Sequence, residues 1–402
     1  MTSPKPKSDT FGKITDEGIQ KLRARIGAPI PEDTVWQGWH TVASNDAFRH
    51  FAYGYGDDNP VWYDADYAAK TRWRNPIAPP SFVDTMGICE TPLPPGRRPS
   101  GLGGSSGLPG VHAFWSGDEV EWFRPVYQGD KLFKKRAISD VQLKKSEFAG
   151  TSAIVHDRTT YTNQRGELVV SWVRLFVRTE REKAAQKGKY SKIERATYTP
   201  ERLAEIEADY DKEERRGSDS RYWEDVQVGQ QIVPVVHGPL VVSDIFAWYQ
   251  GHGRWELFPH KLALRNRRDH GGYYSLNDFG VPECTMRCHW DDAFARKIGN
   301  PYAYDMGILR NAWITHAITN WMGDDAWLWK LDDQYRRFNY IGDTTWIRGE
   351  VTKKYVKDER CVVELSLRCE NQRNEITAPA TATIILPSKE HGPVALPQPP
   401  KE

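Results

Sequence analysis

Apolar and polar positions alternate in two sets of three short runs, one set in each half of the chain. The runs are rich in Val, Ile, Thr, Tyr and Phe and are bounded by turn residues, which is typical of antiparallel strands with one buried face. They predict strands at 131–140, 150–162, 167–178, 345–356, 360–370 and 376–386. Each half is therefore expected to contain an antiparallel sheet.

A helix-forming segment precedes the strand runs in each half. In the second half, the stretch from Gly307 to Trp321 is apolar over much of its surface, as a buried helix should be. Its first-half counterpart is expected to start near Pro80 and to extend past Met86. The predicted fold class is α+β, with a long helix wrapped by an antiparallel sheet as the repeated unit.

Four short sequence landmarks occur in the same order in both halves. They are Trp-Tyr-Asp or His-Trp-Asp, then Asn-Pro-x-Ala, Tyr-x-Gly-Asp and Asn-Gln-Arg. They lie at 62–64, 75–78, 127–130 and 163–165 in the first half, and at 289–291, 300–303, 340–343 and 371–373 in the second. Repeated order of this kind indicates a duplication, so the chain is predicted to be two diverged copies of one domain.

Changes in composition suggest where the domains end. Residues 179–220 are highly charged with few large apolar side chains, as expected of a linker, and Pro200 is a favourable first residue for a surface helix within it. The stretch 91–110 is too rich in Pro and Gly for regular structure. The predicted parts are an N-terminal extension 1–34, a first domain 35–178, the linker 179–220, a second domain 221–388 and a tail 389–402.

Charge and cysteine content narrow the class of partner. Lys and Arg together number 55 and Asp and Glu 54, so there is no bulk charge of the kind that attracts nucleic acid or an anionic membrane. No run approaches the roughly 18 apolar residues of a membrane span, and no leading segment resembles a secretory signal. The five cysteines are sparse and odd in number. We expect a cytoplasmic protein with a small-molecule or protein partner.

The segment 51–82 carries a recognisable signature. It contains Gly-Asp-Asp-Asn-Pro at 56–60, and it resembles the MaoC-like (R-specific) enoyl-CoA hydratase and 3-hydroxyacyl dehydratase family, whose signature is roughly GDxNPxHxD. Trp62 stands where the family's catalytic His belongs, and the following Ala-Pro-Pro-Ser-Phe resembles the variant in non-catalytic N-terminal halves of two-part dehydratases. The second half resembles the C-terminal partner, through Tyr-Trp-Glu-Asp-Val at 222–226 and His-Trp-Asp at 289–291.

This resemblance implies a fused double hot-dog fold, expected as two antiparallel sheets each wrapped around a central helix. It implies reversible hydration of a 2-enoyl-CoA, or dehydration of a 3-hydroxyacyl-CoA, in the second half rather than the first. It implies no cofactor, because the CoA thioester is the substrate, and a homodimer is compatible with it. The 16 Trp, 18 Tyr and 14 Phe suggest a bulky or aromatic acyl group.

Hydration of an α,β-unsaturated thioester requires a base, an acid and donors for the developing oxyanion. His289 is the candidate base, with a hydrogen-bonded structural His as the alternative. The motif's acid has no clean equivalent in the second half, and Asp291, although it matches the family's second Asp, is also well placed to cap a helix. In the first half, Asp57 lacks its His and is expected to be structural. The candidate acid partners are Asp291, Glu283, His252 and Glu256.

Other residues are candidates for holding the substrate. Backbone N–H groups near Gly307, at the start of the central helix, would bind the oxyanion. Trp62 would fill or wall the vestigial pocket of the first half. Arg265, Arg267 and Arg268 could pair with CoA phosphates, although a run of charge is more often a solvated face.

Three alternatives compete with this hypothesis: a metal site, a different reaction and a non-catalytic role. Cys284, Cys288 and His289 lie close together, but their spacing is not a usual zinc pattern, so no metal is expected. Thioester hydrolysis is a second enzymatic reading. A non-catalytic acyl-binding or partner subunit is a third, because one half lacks the His and the other has an altered acid.

Overall fold

The computed structural model describes residues 12–30, 38–88, 108, 111–146, 150–179, 193–253 and 257–400. Most of the predicted loop at 91–110 and the candidate acid Glu256 lie outside these residues.

The helices are α1 Asp16–Arg23, α2 Asn45–Tyr53, α3 Ala65–Ala68, α4 Pro200–Tyr210, α5 Val242–His252, α6 His260–Asp269, α7 Asp292–Lys297 and α8 Gly307–Met322. The strands are β1 His112–Trp122, β2 Leu132–Ser146, β3 Gly150–Asn163, β4 Leu168–Thr179, β5 Val235–His237, β6 Tyr274–Leu276, β7 Pro282–Cys284, β8 Trp327–Gln334, β9 Thr345–Lys357, β10 Arg360–Asn371 and β11 Ile376–Ile385. Short 3-10 helices lie at Pro60–Trp62, Pro80–Thr85, Trp223–Asp225, Gly271–Tyr273 and Thr285–His289.

Nine of these strands form one continuous sheet in the order β2-β3-β4-β1-β8-β11-β10-β9-β5. The six predicted strands correspond to β2, β3, β4, β9, β10 and β11. Strands β1 and β8 pair antiparallel in the middle, with Gly117 opposite Gln334 and Glu121 opposite Lys330. The expectation of two separate sheets is therefore corrected, because the first long strand of each half pairs with its counterpart and joins the two halves edge to edge.

The central helix of the second half is α8, in close agreement with the prediction. Every residue of α8 after Gly307 is buried, which fits a helix that is apolar around most of its circumference. In the described part of the first half, the corresponding segment is only the 3-10 helix Pro80–Thr85. Gly87, with φ +120, lies just beyond the end of the segment, and an α-helix cannot continue through such a backbone conformation. The predicted long helix is thus present in the second half alone among the described residues.

The repeated landmarks form the same hydrogen bonds in both halves. Asp130 accepts the backbone N–H of the landmark tyrosine three residues earlier, and also Gln164 Nε2. Asp343 accepts the corresponding N–H and Gln372 Nε2. Helices α2 and α5, which occupy equivalent positions, pack against each other where Gly54 meets Gly251. The duplication in the sequence is therefore also present in the three-dimensional structure.

The predicted linker and tail are packed onto the domains where they are described. Helix α4 begins at Pro200 as predicted and buries Ile206 against Val236 and Trp346. In the tail, Val394 is buried and Leu396 packs on the core. No helix in the described ranges has the length and apolar character needed to cross a bilayer.

Candidate functional site

The predicted base, His289, ends the 3-10 helix Thr285–His289 and is 8% exposed. Its Nδ1 lies 2.8 Å from the backbone oxygen of Tyr304, and the two rings meet edge to face at 5.1 Å. Because a carbonyl can only accept, Nδ1 donates this hydrogen bond. The neutral ring then carries its lone pair on Nε2, which is the state that a general base requires.

The thiol and the phenol next to His289 are electrostatically linked to it. Burial acts to raise the pKa of the Cys288 thiol, but the charge and hydrogen bond of His289 and the hydroxyl of Tyr304 outweigh it, so this pKa lies below its usual range. Burial and Cys288 raise the pKa of Tyr304 well above its usual range. In the described part of the chain, no group of His, Cys, Asp and Glu is arranged to hold a metal ion.

The candidate acids have structural contacts of their own. Asp291 is the N-cap of α7, with its Oδ1 accepting the N–H of the third helical residue at 3.0 Å. Glu283 lies 3.6 Å from Arg287 Nη1, and His252 Nε2 lies 3.2 Å from Asp84 Oδ2 in the first half. Capping is the role that the sequence suggested as the alternative for Asp291. A part for any of the three in proton transfer stays a prediction.

The two halves have lost different members of the motif. Gly56 before Asp57 and Gly253 before Arg254 both have a left-handed backbone, with φ +87 and +65, which marks them as equivalent turn positions. Arg254, which lies outside the described residues, thus occupies the acid's place in the second half. The first half keeps the acid and has Trp62 in place of the imidazole. The loss of the acid is visible in the sequence, where Gly-x-Gly-Asp at 54–57 corresponds to Gly-x-Gly-Arg at 251–254. We did not predict this correspondence from the sequence.

Asp57 is 1% exposed and fully engaged in hydrogen bonds. Its Oδ2 accepts from Tyr55 Oη and from Trp62 Nε1, both at 2.9 Å, and its Oδ1 accepts from the backbone N–H of Asn59 at 2.9 Å. His316, on α8 of the other half, places Nε2 3.8 Å from Asp57 Oδ1. Sequence reasoning gave no indication of His316, because helix α8 reads simply as a core helix.

A cavity of about 50 Å³ lies between the halves beside this motif. Its lining is mostly apolar and includes four tryptophans. Trp62 and Asn59, which both contact Asp57, form part of the lining, as does Thr319 of α8. Trp62 therefore lines a cavity, and a part for it in substrate binding stays a prediction. The tryptophans are Trp62, Trp73, Trp122 and Trp327.

The predicted substrate-binding residues of the second half lie in two places. Gly307 is the first residue of α8, and a Cβ there would stand 2.7 Å from the ring of Tyr335, so the glycine permits close packing. Arg265 and Arg267 are half-buried and Arg268 is exposed, all on α6 in the insertion before His289. Binding of the oxyanion or of CoA by these residues stays a prediction.

Comparison with known sequences identifies relatives of part of the chain. The family model for the FAS1-like dehydratase domain region matches residues 33–172. A probable enoyl-CoA hydratase alpha subunit from Thermomonospora curvata is 27% identical over 179 residues, which is 42% of this chain and 55% of that protein. The chain thus spans about half the length of this relative.

Comparison with solved structures extends over both halves. A MaoC-like dehydratase has a TM-score of 0.57 at 16% identity and covers 90% of this chain and 99% of its own. A conserved hypothetical protein from Mycobacterium tuberculosis, described as having a double hot-dog fold, has a TM-score of 0.50 at 11% identity and covers 89% and 98%. The double hot-dog arrangement is therefore confirmed.

Proposed function

Because the chain belongs to the MaoC-like hydratase family, we propose that it catalyses the reversible hydration of a 2-enoyl-CoA, or the dehydration of the corresponding 3-hydroxyacyl-CoA. The reaction needs a positioned base and a dry, apolar site for the acyl group. The cavity beside the signature at 56–64 is the observation that carries the proposal, because Asn59 and Trp62 of this signature line it.

The lining of the cavity supports a bulky or aromatic acyl group as the substrate's tail. Four indole rings offer large apolar surfaces with little conformational freedom, and aromatic rings pack favourably against them in tilted arrangements. Trp73 and Trp327 already meet in this way, at 5.6 Å and 51°.

We assign the role of base in the second half to His289. The hydrogen bond that Nδ1 donates to the backbone oxygen of Tyr304 fixes the ring, and in the neutral ring it puts the lone pair on Nε2. The start of α8 at Gly307 would supply N–H groups for the thioester oxygen, and α6 would supply Arg265, Arg267 and Arg268 for CoA phosphates.

The activity is tested by following the absorbance of the conjugated thioester with crotonyl-CoA, cinnamoyl-CoA and a steroid-type enoyl-CoA. We expect loss of absorbance with at least one of them, and faster turnover with the bulky substrates. The absence of turnover across this panel would contradict a hydratase. Release of free thiol from a saturated acyl-CoA would instead indicate a thioesterase, because a hydratase cannot process that substrate.

Replacement of the proposed base is the first specific prediction. His289→Gln should lower kcat by at least about tenfold, since general acid–base groups contribute roughly 10²- to 10⁴-fold. His391→Gln, at an exposed position, is the control. An unchanged kcat in the His289 variant would remove His289 from the mechanism.

A second candidate function is an acyl-binding subunit that needs a partner chain for turnover. The complementary losses in the two halves favour it, and the relative from Thermomonospora curvata is named as an alpha subunit. This function predicts that the isolated chain binds an enoyl-CoA without hydrating it. Equilibrium binding measured beside the absorbance assay separates it from the hydratase.

A further inference from the structure

A second imidazole stands beside the motif's carboxylate and comes from the other half of the chain. His316 Nε2 lies 3.8 Å from Asp57 Oδ1 and 3.2 Å from Asn320 Nδ2. His316 is 5% exposed and Asp57 is 1% exposed. Nδ1 of His316 has no hydrogen-bond partner among the residues that the structure describes. One ring nitrogen therefore faces the carboxylate, and the other lacks a partner.

A neighbouring histidine has the same property. His237 on β5 stacks on Trp313 at 4.8 Å and meets the ring of His316 at 5.5 Å. Its Nε2 is also without a partner in the described ranges. Burial and the proximity of His316 hold the pKa of His237 well below its usual range, so this ring stays neutral. Buried polar atoms are seldom left unsatisfied, which indicates that the two nitrogens meet a water molecule or a polar group of a ligand.

The pair lies directly behind the wall of the tryptophan-lined cavity. Asn59 and Trp62 both donate to Asp57 and also line the cavity. Thr319, one turn beyond His316 on α8, lines it as well. An acyl thioester in this cavity would thus have its polar end close to the carboxylate and the imidazole.

We propose that Asp57 and His316 form a catalytic pair assembled from both halves, in which the imidazole transfers the proton and the carboxylate stabilises its charged form, and that this pair hydrates a 2-enoyl-CoA whose apolar acyl group occupies the cavity. This inference rests on the proposed function and adds a reaction centre to it. The first half lacks an imidazole because Trp62 occupies its place, and α8 of the second half supplies one.

In the proposed step, the proton that water loses is the proton that the product gains. The step uses the tautomer that carries its hydrogen on Nε2, towards Asp57 Oδ1, with the Asn320 amide turned so that its oxygen faces Nε2. His316 Nδ1 then takes a proton from water as the water oxygen bonds to the β-carbon, and the π electrons of the double bond shift towards the α-carbon and the thioester oxygen. The imidazolium then returns the same proton to the α-carbon. Asp57 carries no proton in this scheme; its negative charge, held in place by Tyr55, Trp62 and Asn59, stabilises the transient imidazolium.

The groups packed around His316 are consistent with this role. The carboxylate of Asp57 approaches from the first half, the neutral ring of His237 from β5, the amide of Asn320 from the next turn of α8, and the ring of Tyr55 edge-on at 6.0 Å. The carboxylate thus faces the Nε2 side of the ring, where it can interact with the charge of a transient imidazolium.

The test measures hydration of one enoyl-CoA by the full-length chain. The substrate is the one that the chain hydrates fastest among crotonyl-CoA, cinnamoyl-CoA and the steroid-type enoyl-CoA. The test compares His316→Gln, Asp57→Asn, the double variant and Thr315→Val, each also made in the His289→Gln chain so that the second-half imidazole contributes nothing. Thr315 is the matched control, because it is buried next to His316 on α8 and its hydroxyl bonds only the carbonyl of Ala312 among described residues.

In the His289→Gln chain we expect His316→Gln and Asp57→Asn each to lower the remaining kcat about 100-fold, with Thr315→Val within about twofold. The double variant should be no slower than the singles, since the two groups act as a unit. The remaining kcat/KM should fall on the acidic side as the imidazole is protonated, and this limb should be absent in the His316 variant. A purely structural role would not change the pH profile.

Three results would overturn the pair: a folded His316→Gln variant with unchanged remaining kcat, a double variant whose losses add, or a His289→Gln chain without remaining turnover. If His316→Gln fails to fold, the nearly isosteric Asp57→Asn decides by the same criteria. Absence of turnover by the unmodified chain would instead contradict the proposed function itself.

Discussion

At the scale of single residues, the most informative substitution in the motif is Trp62. An indole N–H can only donate, so Trp62 can satisfy Asp57 but cannot accept a proton from water. The first-half motif on its own therefore holds a carboxylate without a proton acceptor beside it. Any proton transfer in this half needs a group from elsewhere in the fold, and His316 is the imidazole that lies within reach of Asp57.

The duplicated Tyr-x-Gly-Asp landmark contains two equivalent aspartates, Asp343 and Asp130, whose mutants can be compared directly. Asp343 is buried and receives Arg373 Nη1 and Nη2 at 2.6 and 2.7 Å, whereas the equivalent Asp130 lies 3.7 Å from the exposed Arg165. Removing one partner of a buried, bidentate pair costs more than removing a partner of an exposed one. Asp343→Asn should lower the free energy of unfolding by about 2 kcal/mol, and Asp130→Asn by about 1 kcal/mol or less. Urea unfolding measures both, and equal losses would contradict the argument.

At the scale of elements, strands β1 and β8 carry two carboxylates into the core where the halves join. Asp118 accepts from Trp172 Nε1 at 2.7 Å and from Tyr335 Oη at 2.6 Å, and its own N–H donates to Asp333 Oδ1 at 3.0 Å. Burial raises the pKa of Asp118 to about 6, against the opposing effect of Arg174. Burial and Asp118 together raise the pKa of Asp333 well above its usual range.

This junction predicts a specific pH dependence. The pKa of Asp118 in the folded chain, about 6, lies above its unfolded value of about 3.9, so its stabilising contribution is present in full below that lower value and is lost as the pH rises through about 6. The unfolding free energy of the native chain relative to Asp118→Asn should therefore increase as the pH falls from about 7 to about 5. Urea unfolding at several pH values tests this, with Glu121→Gln on the same strand as the control. A difference that does not vary with pH would contradict the raised pKa.

At the scale of the whole molecule, the C-terminal segment ties the two halves together. Arg72 and Arg124 of the first half donate to the backbone oxygens of Val394 and Pro397, and Arg360 of the second half donates to those of Ala395 and Leu396. Arg124 also lines the cavity. The segment that the sequence suggested to be a tail thus packs across both domains near the proposed acyl site.

We predict that removal of this C-terminal segment destabilises the folded protein. Deletion of residues 394–402 exposes the apolar surface under Val394 and Leu396 and removes the backbone acceptors that this segment supplies to three arginines. Loss of about 2 kcal/mol of apolar burial should lower Tm by several degrees. Deletion of residues 399–402 alone is the control. Equal melting temperatures for the two truncations would show that the segment contributes nothing.

The sequence by itself determined the duplicated plan, the six outer strands, helix α8 and the family signature, because these depend on local periodicity and on short motifs. It did not reveal β1 and β8, whose Asp118 and Asp333 disguise the apolar alternation and take most of their hydrogen bonds from residues outside their own strands. Only the tertiary structure decided that the two sheets are one and that His316 stands beside Asp57. Both depend on the pairing of segments far apart in the chain, and local patterns of hydrophobicity contain no information about such contacts.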